Sequence, residues 1–392
     1  MPTSPERLSR FASRRQARME SLPQLTYATA GGSRAWYVAD ELLCVDDGRR
    51  NVERYLGRAY AARPGSGDDE LLPGLRRYRA PGLDVRGAVR ALHADRPVGA
   101  RLVTPNHVFL SSPFNHGGPF GPPIPAAAST IKPPAGNIDP VPVTIVDTGL
   151  WRETPLPTDY LAPDGVELET ETDVDNDGLL DGDVGHANFI GGVVTTHTDR
   201  VTLRVVRVLD TFGICTEDQL AAALGRLHPD TKVINLSLGG FTVDGAAPVG
   251  VQAALHQALS GADRVVVAAA GNDGNRSEPF WPAAFAGAGE SWSQQVVAVA
   301  AHDGSDLCDW SNSGPWVSLV APGQDVRSTF IDHTLFPEGW ALWSGTSFAA
   351  PRVAAEIAGR IGGGVGAVAA TDQLRAEVAA AGQRFGGHVG LI

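Results

Sequence analysis

The chain has 392 residues, of which 43% are hydrophobic and 19% charged; this is the composition of a globular protein with material for two or three domains and a large core. Its net charge of −12 is spread along the chain, and apart from a small arginine cluster within residues 10–18 there is no basic block, so no nucleic-acid partner is expected. Three cysteines, Cys44, Cys215 and Cys308, are too few and too scattered for a disulfide framework or a zinc site, and read as reduced, buried thiols with a Cys215–Cys308 bridge as the lesser alternative.

Met1 to Leu25 is polar and arginine-rich, with no apolar run of signal-peptide length, and no later stretch reaches the length of a membrane span. The expected location is therefore cytoplasmic, with no membrane partner, although a removed signal or a leaderless export route would leave the same sequence. Residues 1–33 lack a clear period and read as a leader, disordered or loosely helical. Residues 34–112 read as a small α+β unit: a strand at Trp36–Val45, a helix at Asn51–Ala62, a strand at Leu75–Arg79, a helix at Val85–Ala94 and a strand at Ala100–Leu110. Residues 113–140 are rich in proline and glycine, as in Gly117-Gly118-Pro119-Phe120-Gly121-Pro122-Pro123, and mark a linker that holds neither a helix nor a central strand.

From 141 to 392 apolar strands alternate with helices. Strands are expected at Val141–Val146, Val201–Val208, Val233–Leu238, Arg264–Ala270 and Val296–Ala301, and helices at Thr216–Leu227, Val249–Ser260 and Ser347–Ile361. Strands rich in valine and alanine, apolar on both faces and separated by helices, imply a doubly wound α/β fold with a mostly parallel sheet. Ligands bind such sheets beyond the carboxyl ends of the strands, and Asp147, Ser237 and Asn272 all fall at strand ends of that kind.

Ser347, in Gly345-Thr346-Ser347-Phe348-Ala349-Ala350-Pro351, stands at a helix start, where orphan amides favour developing negative charge. Alone, such a serine is more often an N-cap. As a nucleophile it needs a base and an acid to orient that base. His186, in the small-residue context Gly185-His186-Ala187-Asn188, and Asp147, after the apolar run Val143-Thr144-Ile145-Val146, supply one candidate each. Asp147-Thr148-Gly149 would also suit an aspartic protease, but that chemistry needs a second such motif and none occurs. Asn272, in Ala270-Gly271-Asn272-Asp273-Gly274, is either a turn residue or a side-chain donor to an oxyanion, with the Ser347 amide as the second donor; one such donor is worth about 3–4 kcal/mol.

These residues resemble the subtilisin-like serine proteases (subtilases) from about Val141 to Gly363. The serine motif matches without a gap, Val143–Gly149 matches the aspartate strand, and Gly271-Asn272 matches the oxyanion asparagine. The order Asp, His, Ser is that of the family. The resemblance implies that Val233–Gly240 pairs with the substrate backbone as an added strand, so that Ser237, Leu238 and Gly239, with Ala270 and Gly271 opposite, bind substrate. It places Phe280 at the bottom of the pocket for the side chain before the scissile bond, which suggests a shallow pocket. The family's His-Gly-Thr-His is here His186-Ala187-Asn188-Phe189; the first histidine, the catalytic one, is kept. Residues 34–112 resemble the ferredoxin-like propeptide domain of subtilases, a folding helper and inhibitor whose C-terminal tail enters the active site.

Asp173, Asp175, Asp177, Asp181 and Asp183 precede His186, with Gly178 at the sixth position of the run. This spacing resembles a calcium loop, but the twelfth position is Val184 instead of glutamate, so a structural Ca2+ site and a solvated acidic loop both stand. No cofactor is required for the chemistry. The expected function is a serine endopeptidase acting on a peptide or protein substrate of restricted range, regulated by its own N-terminal domain. The alternative is a silent or permanently autoinhibited peptide-binding protein that keeps the fold.

Overall fold

The structure, a computed structural model, describes residues 14–30, 32–60, 68–94, 101–112, 122–136 and 139–391. The leader is regular where it is described. Residues 14–21 form a helix (α1), and Leu25–Ala30 (β1) pairs antiparallel with Ser33–Val45 (β2). This corrects the expectation of a loose leader for residues 14–30, while residues 1–13 lie outside the described residues. What orders α1 is tertiary: Met19 is buried in a cluster with Trp36, Val108 and Phe212, partners that no local period reveals.

After β2 come Arg49–Ala59 (α2), Asp68–Leu72 (β3), Leu75–Arg79 (β4), Val85–Ala94 (α3) and Val103–Ser111 (β5). Val52 and Leu56 of α2, four residues apart, and Ala88 and Val89 of α3 face one apolar cluster with Leu42, Tyr78 and Val103 of the sheet. The β-α-β-β-α-β order and the strand order β5-β2-β4-β3 are those of a ferredoxin-like unit. β5 changes partners along its length. Residues 103–107 pair with β2, whereas 108–111 run on to two strands from much later in the chain.

Within the proline-rich segment, Ile124–Pro125 (β6) is a two-residue edge strand, a position proline tolerates because its missing N–H faces away from the ladder. The rest follows as Val141–Asp147 (β7), Leu161–Val166 (β8), His186–His197 (α4), Val201–Arg207 (β9), Ile214–Thr216 (β10), Glu217–Gly225 (α5), Val233–Leu236 (β11), Leu238–Gly239 (β12), Val249–Leu259 (α6), Val265–Ala269 (β13), Val296–His302 (β14), Leu319–Pro322 (β15), Val326–Thr329 (β16), Trp340–Trp343 (β17), Thr346–Arg360 (α7) and Ala367–Ala381 (α8). β6 closes a small antiparallel sheet with β17 and β16.

Seven strands form a parallel sheet in the order β15-β14-β13-β11-β7-β9-β8. Its two faces are covered by different helices. On β13, Val266 and Ala268 join α5 and α6 in one cluster, while Val265, Val267 and Ala269 join α4, α7 and α8 in the other. The chain leaves β7 towards β8 and β9 and returns on the other side as β11, so strand order reverses at β7. Asp147 and Ser237 therefore flank the crevice at that switch point. All three cysteines are free and buried, so the Cys215–Cys308 bridge does not form.

Candidate active site

Asp147 ends β7 with its side chain fully buried, and its Oδ1 lies 2.6 Å from Nδ1 of His186, the first residue of α4. The same oxygen accepts the Thr148 amide at 2.8 Å, and Thr148 Oγ1 accepts the Ala187 amide at 3.1 Å, so strand end and helix start are tied twice. Gly185 takes φ 82°, and a side chain on it would strike Ile331 and Phe330 at 2.7 Å. The residues that follow His186 also pack locally. Asn188 accepts the Trp151 amide at 2.8 Å and donates to the Trp151 carbonyl at 2.7 Å, and Phe189 packs with Trp343 and Phe348, whose rings also flank His186 at 5.5 Å each. His186 Nε2 is buried and accepts or donates no hydrogen bond.

Ser347 is the second residue of α7, whose N-cap is Gly345, so it is not itself the cap. Its hydroxyl donates to the Ser237 carbonyl at 3.0 Å, and the Ser237 hydroxyl donates to the Ser347 carbonyl at 2.7 Å. Pro351 lies beyond the first turn, where its lack of an N–H leaves the carbonyl four residues earlier unpaired. That carbonyl is Ser347's, and Ser237 supplies the missing donor.

Asn272 sits across the crevice. Its Oδ1 accepts the amide and the hydroxyl of Thr346 at 2.9 Å each, which fixes the side chain and leaves its Nδ2, buried, without a hydrogen-bond partner. Thr346 Oγ1 also accepts the Gly271 amide at 3.0 Å, and Gly271 has φ 94°. Ala270 is held back in the sheet, its amide on Val299 and its carbonyl accepting from Asn312. Thr148, Asn188 and Thr346 were not singled out from the sequence; each is a short polar side chain beside a site residue, which is the only local signal it carries.

The wall formed by Ser237, Leu238 and Gly239 is already paired. β12 runs antiparallel to the end of β5, with Leu238 opposite Ser111 and Gly239 opposite Leu110. The Ser112 amide donates to the Ser237 carbonyl at 3.2 Å, the same oxygen that accepts the Ser347 hydroxyl. On the other side β10 pairs with Val108–Leu110, and the Ser111 amide donates to Gly213 at 2.8 Å. Phe280 is buried against both walls: a side chain at Gly239 or Gly271 would meet its ring.

Of the five loop aspartates, the structure brings three together. One carboxylate oxygen each of Asp173, Asp175 and Asp177 lie within 4.8 Å of one another, while Asp181 and Asp183 turn inward and are buried. Asp181 accepts the Val174 amide at 2.8 Å and the Thr211 hydroxyl at 2.7 Å. Both oxygens of Asp173 accept backbone amides, from Asp177 and Gly178. The guanidinium of Arg14 stands over the loop, 2.8 Å from Asp177, 3.3 Å from Asp181 and 3.6 Å from Asp175, and donates to the Leu180 carbonyl at 3.1 Å. The carboxylates suit a hard cation, but Arg14 competes for them. Its neighbour Arg15, 3% exposed, pairs with Asp183 and with the hydroxyl of Ser111, and donates to Phe212 at 2.6 Å and to the Ser111 carbonyl at 3.3 Å. Burial pushes the carboxyl of Asp210 up to about 6 against two backbone amides and Arg15, with Asp183 adding to the rise.

Residues 139–361 match the model of the subtilase family. A thermophilic serine proteinase of Bacillus sp. (strain AK1) is 33% identical over 226 residues, 54% of this chain and 50% of that protein. Thermitase of Thermoactinomyces vulgaris is 34% identical over 224 residues, 54% of this chain and 71% of that protein. The chain thus spans half the length of the first of these relatives. The crystal structure of a cold adapted subtilisin-like serine proteinase aligns at TM-score 0.48 and 24% identity over 62% of this chain and 85% of that one.

Proposed function

This chain belongs to the subtilase family, and from that membership and the geometry of the crevice we propose that it is a serine endopeptidase in which Ser347 attacks the peptide carbonyl. His186 takes the hydroxyl proton on Nε2 and returns it to the leaving amine, and Asp147 holds the imidazole by Nδ1. Asn272 Nδ2 and the Ser347 amide stabilise the oxyanion. The observation that carries the reading is the buried Asp147–His186 bond of 2.6 Å, with Nε2 and Asn272 Nδ2 both left unpartnered while the Ser347 hydroxyl is turned to Ser237. His107 shows the same pairing, its Nδ1 2.6 Å from Glu217 and its Nε2 buried without a partner, so the reading rests on His186 and Asn272 standing with Ser347 in the segments that match the family and not on burial alone. Proteolysis of an unstructured protein such as casein, run beside Ser347→Ala, tests it; turnover retained in that variant would remove Ser347 from the chemistry.

The ferredoxin-like unit is proposed to act as inhibitor or folding helper, since Leu110–Ser112 occupies the strand position a substrate would need. Slow formation of a parallel sheet gives a helper its physical purpose. The same occupancy, with the Ser347 hydroxyl turned to Ser237, favours a second reading in which the chain is permanently autoinhibited. A fluorophosphonate that labels Ser347 in the full chain, or after release of the tail, supports the peptidase. Calcium is proposed as structural only: Asp173, Asp175 and Asp177 would hold it when Arg14 is displaced, and it takes no part in the chemistry.

A further inference from the structure

The end of β5 that fills the cleft is covered a second time. Its side chains alternate: Phe109 is buried in the cluster that holds Leu238 and Phe280 of the wall, whereas Val108 and Leu110 turn the other way, into the cluster of Met19, Trp36, Phe212 and Ile214. Met19 of α1 and Trp36 of the β1–β2 hairpin stand outside the apolar core of the ferredoxin-like unit, and through this second cluster they meet the catalytic domain over the tail. α1 and the hairpin therefore form a layer above a strand that β10 and β12 already pair from the sides.

This layer is fastened on both banks of the crevice, and unequally. On the bank that leads into His186, Arg14 and Arg15 pair with Asp177 and Asp183, and the ring of Phe212 lies 5.6 Å from the Arg14 guanidinium and 5.9 Å from that of Arg18. On the bank of Asn272 the fastening is a single neutral hydrogen bond, from Asn275 Nδ2 to the Ser33 hydroxyl at 3.2 Å. Asn275 is itself held firm, its Oδ1 accepting the Ser277 and Glu278 amides at 2.9 Å each, so the hairpin is the partner free to move. Between the two fastenings a cavity of about 420 Å³ lies between Gln16 and Trp36 on one side and Gly240, Asn272 and Phe280 on the other. We propose that α1 and the β1–β2 hairpin are a strap that gates the active site: it lifts from Asn275, turning about the arginine end, and Val108–Ser112 leaves the cleft only after it has lifted. Cutting the chain beyond Ser112 then does not by itself open the site. This gate rests on the peptidase reading above and names what holds the inhibitory strand in place.

The test fastens the weak end of the full chain. Ser33→Cys with Asn275→Cys, bridged by a short bismethanethiosulfonate, ties the hairpin to the wall, and the three native cysteines are buried away from the reagent. Ser347 of the bridged chain is expected to react with a small fluorophosphonate about tenfold or more slowly than Ser347 of the same chain after dithiothreitol, a comparison in which both substitutions are present on each side. A second arm loosens the strap instead. Met19→Lys puts a charge into the cluster over the tail, leaves the apolar core of the ferredoxin-like unit untouched, and should speed labelling about tenfold or more over the parent. Equal rates in the bridged and reduced chains, or the parent rate in Met19→Lys, overturn the gate. If Ser347 is labelled in none of these forms, the peptidase reading fails and the gate with it, whereas labelling of all of them at one common rate overturns only the gate.

Discussion

Ser237 and Ser347 exchange hydrogen bonds in both directions, hydroxyl to carbonyl at 2.7 Å and 3.0 Å. The first of these substitutes for the helix bond that Pro351 cannot make, which ties the Ser237–Gly239 wall to the Ser347 backbone.

Ser237→Ala is therefore expected to leave a buried carbonyl unsatisfied and to cost about 1–3 kcal/mol of stability. Adding Pro351→Ala returns an N–H to that carbonyl and should recover most of the loss. Thermal unfolding of the two single variants and the double variant measures the coupling; strictly additive losses would show that the two residues do not share the Ser347 carbonyl.

For the chemistry, Asp147→Asn is expected to lower kcat by about 10^4 with little change in Tm, because the amide would hold the imidazole in the wrong tautomer. Asn272→Gly should lower kcat by about 10^2–10^3 and leave KM nearly unchanged, the pattern of a donor used only in the transition state. A fall in kcat/KM caused by KM alone would make Asn272 a binding residue.

The leader bears on access to the site. Arg15→Met combined with Asp183→Asn removes the buried pair that clasps Ser111 without leaving an uncompensated charge. Fluorophosphonate labelling of Ser347 should then accelerate tenfold or more. The parent rate in this double variant would mean that β-pairing alone keeps Leu110–Ser112 in the cleft.

At the other arginine, Arg14→Ala should free Asp175 and Asp177, which with Asp173 would hold a cation. The variant is expected to gain a calcium-dependent rise in Tm larger than the parent's, whereas magnesium, which demands tighter octahedral geometry, should do less. Equal calcium responses in parent and variant would leave the loop as a receptor for arginine only.

Stability should also depend on pH through Asp210. Its carboxyl, pushed up to about 6 by burial, binds its proton more tightly folded than unfolded. Folding takes up a proton between about pH 4 and 6, and stability falls as pH rises through that window, by about 1–3 kcal/mol. Asp210→Asn keeps an oxygen for the Phe212 and Ile214 amides and should raise Tm at pH 8 but not at pH 4. A gain of the same size at both values would exclude titration as the cause.

Much of this was legible in the residues. Leu75–Arg79 and Val85–Ala94 fall where the local period places them, and the five strands expected for the parallel sheet are displaced by a residue or two at most at either end, whereas its strands Leu161–Val166 and Leu319–Pro322 were not expected. The Thr216–Leu227 helix begins one residue later, at Glu217, because the Thr216 amide donates to Gln219 Oε1 at 2.9 Å outside the helix. Asp147, His186, Ser347 and Asn272 were named from strand ends and short motifs, and these lie around one crevice. The expected Val233–Leu238 strand breaks instead after Leu236, where Ser237 turns its hydroxyl to α7 and Leu238–Gly239 leaves for another sheet.

The sequence by itself determined the doubly wound sheet and singled out the candidate site residues, because strand period, helix period and glycine-marked motifs are properties of neighbours in the chain. Only the tertiary structure decided that Arg14 and Arg15 dock on the acidic loop, that the Ser347 carbonyl is satisfied by Ser237, and that Phe280 fills the space between two glycine walls. Arg14, Arg15 and Ser237 each meet partners more than a hundred positions away, and Phe280 meets Gly239 about forty positions away. Buried donors, charges and rings must be matched wherever the fold brings a partner, and no local pattern records which partner that is.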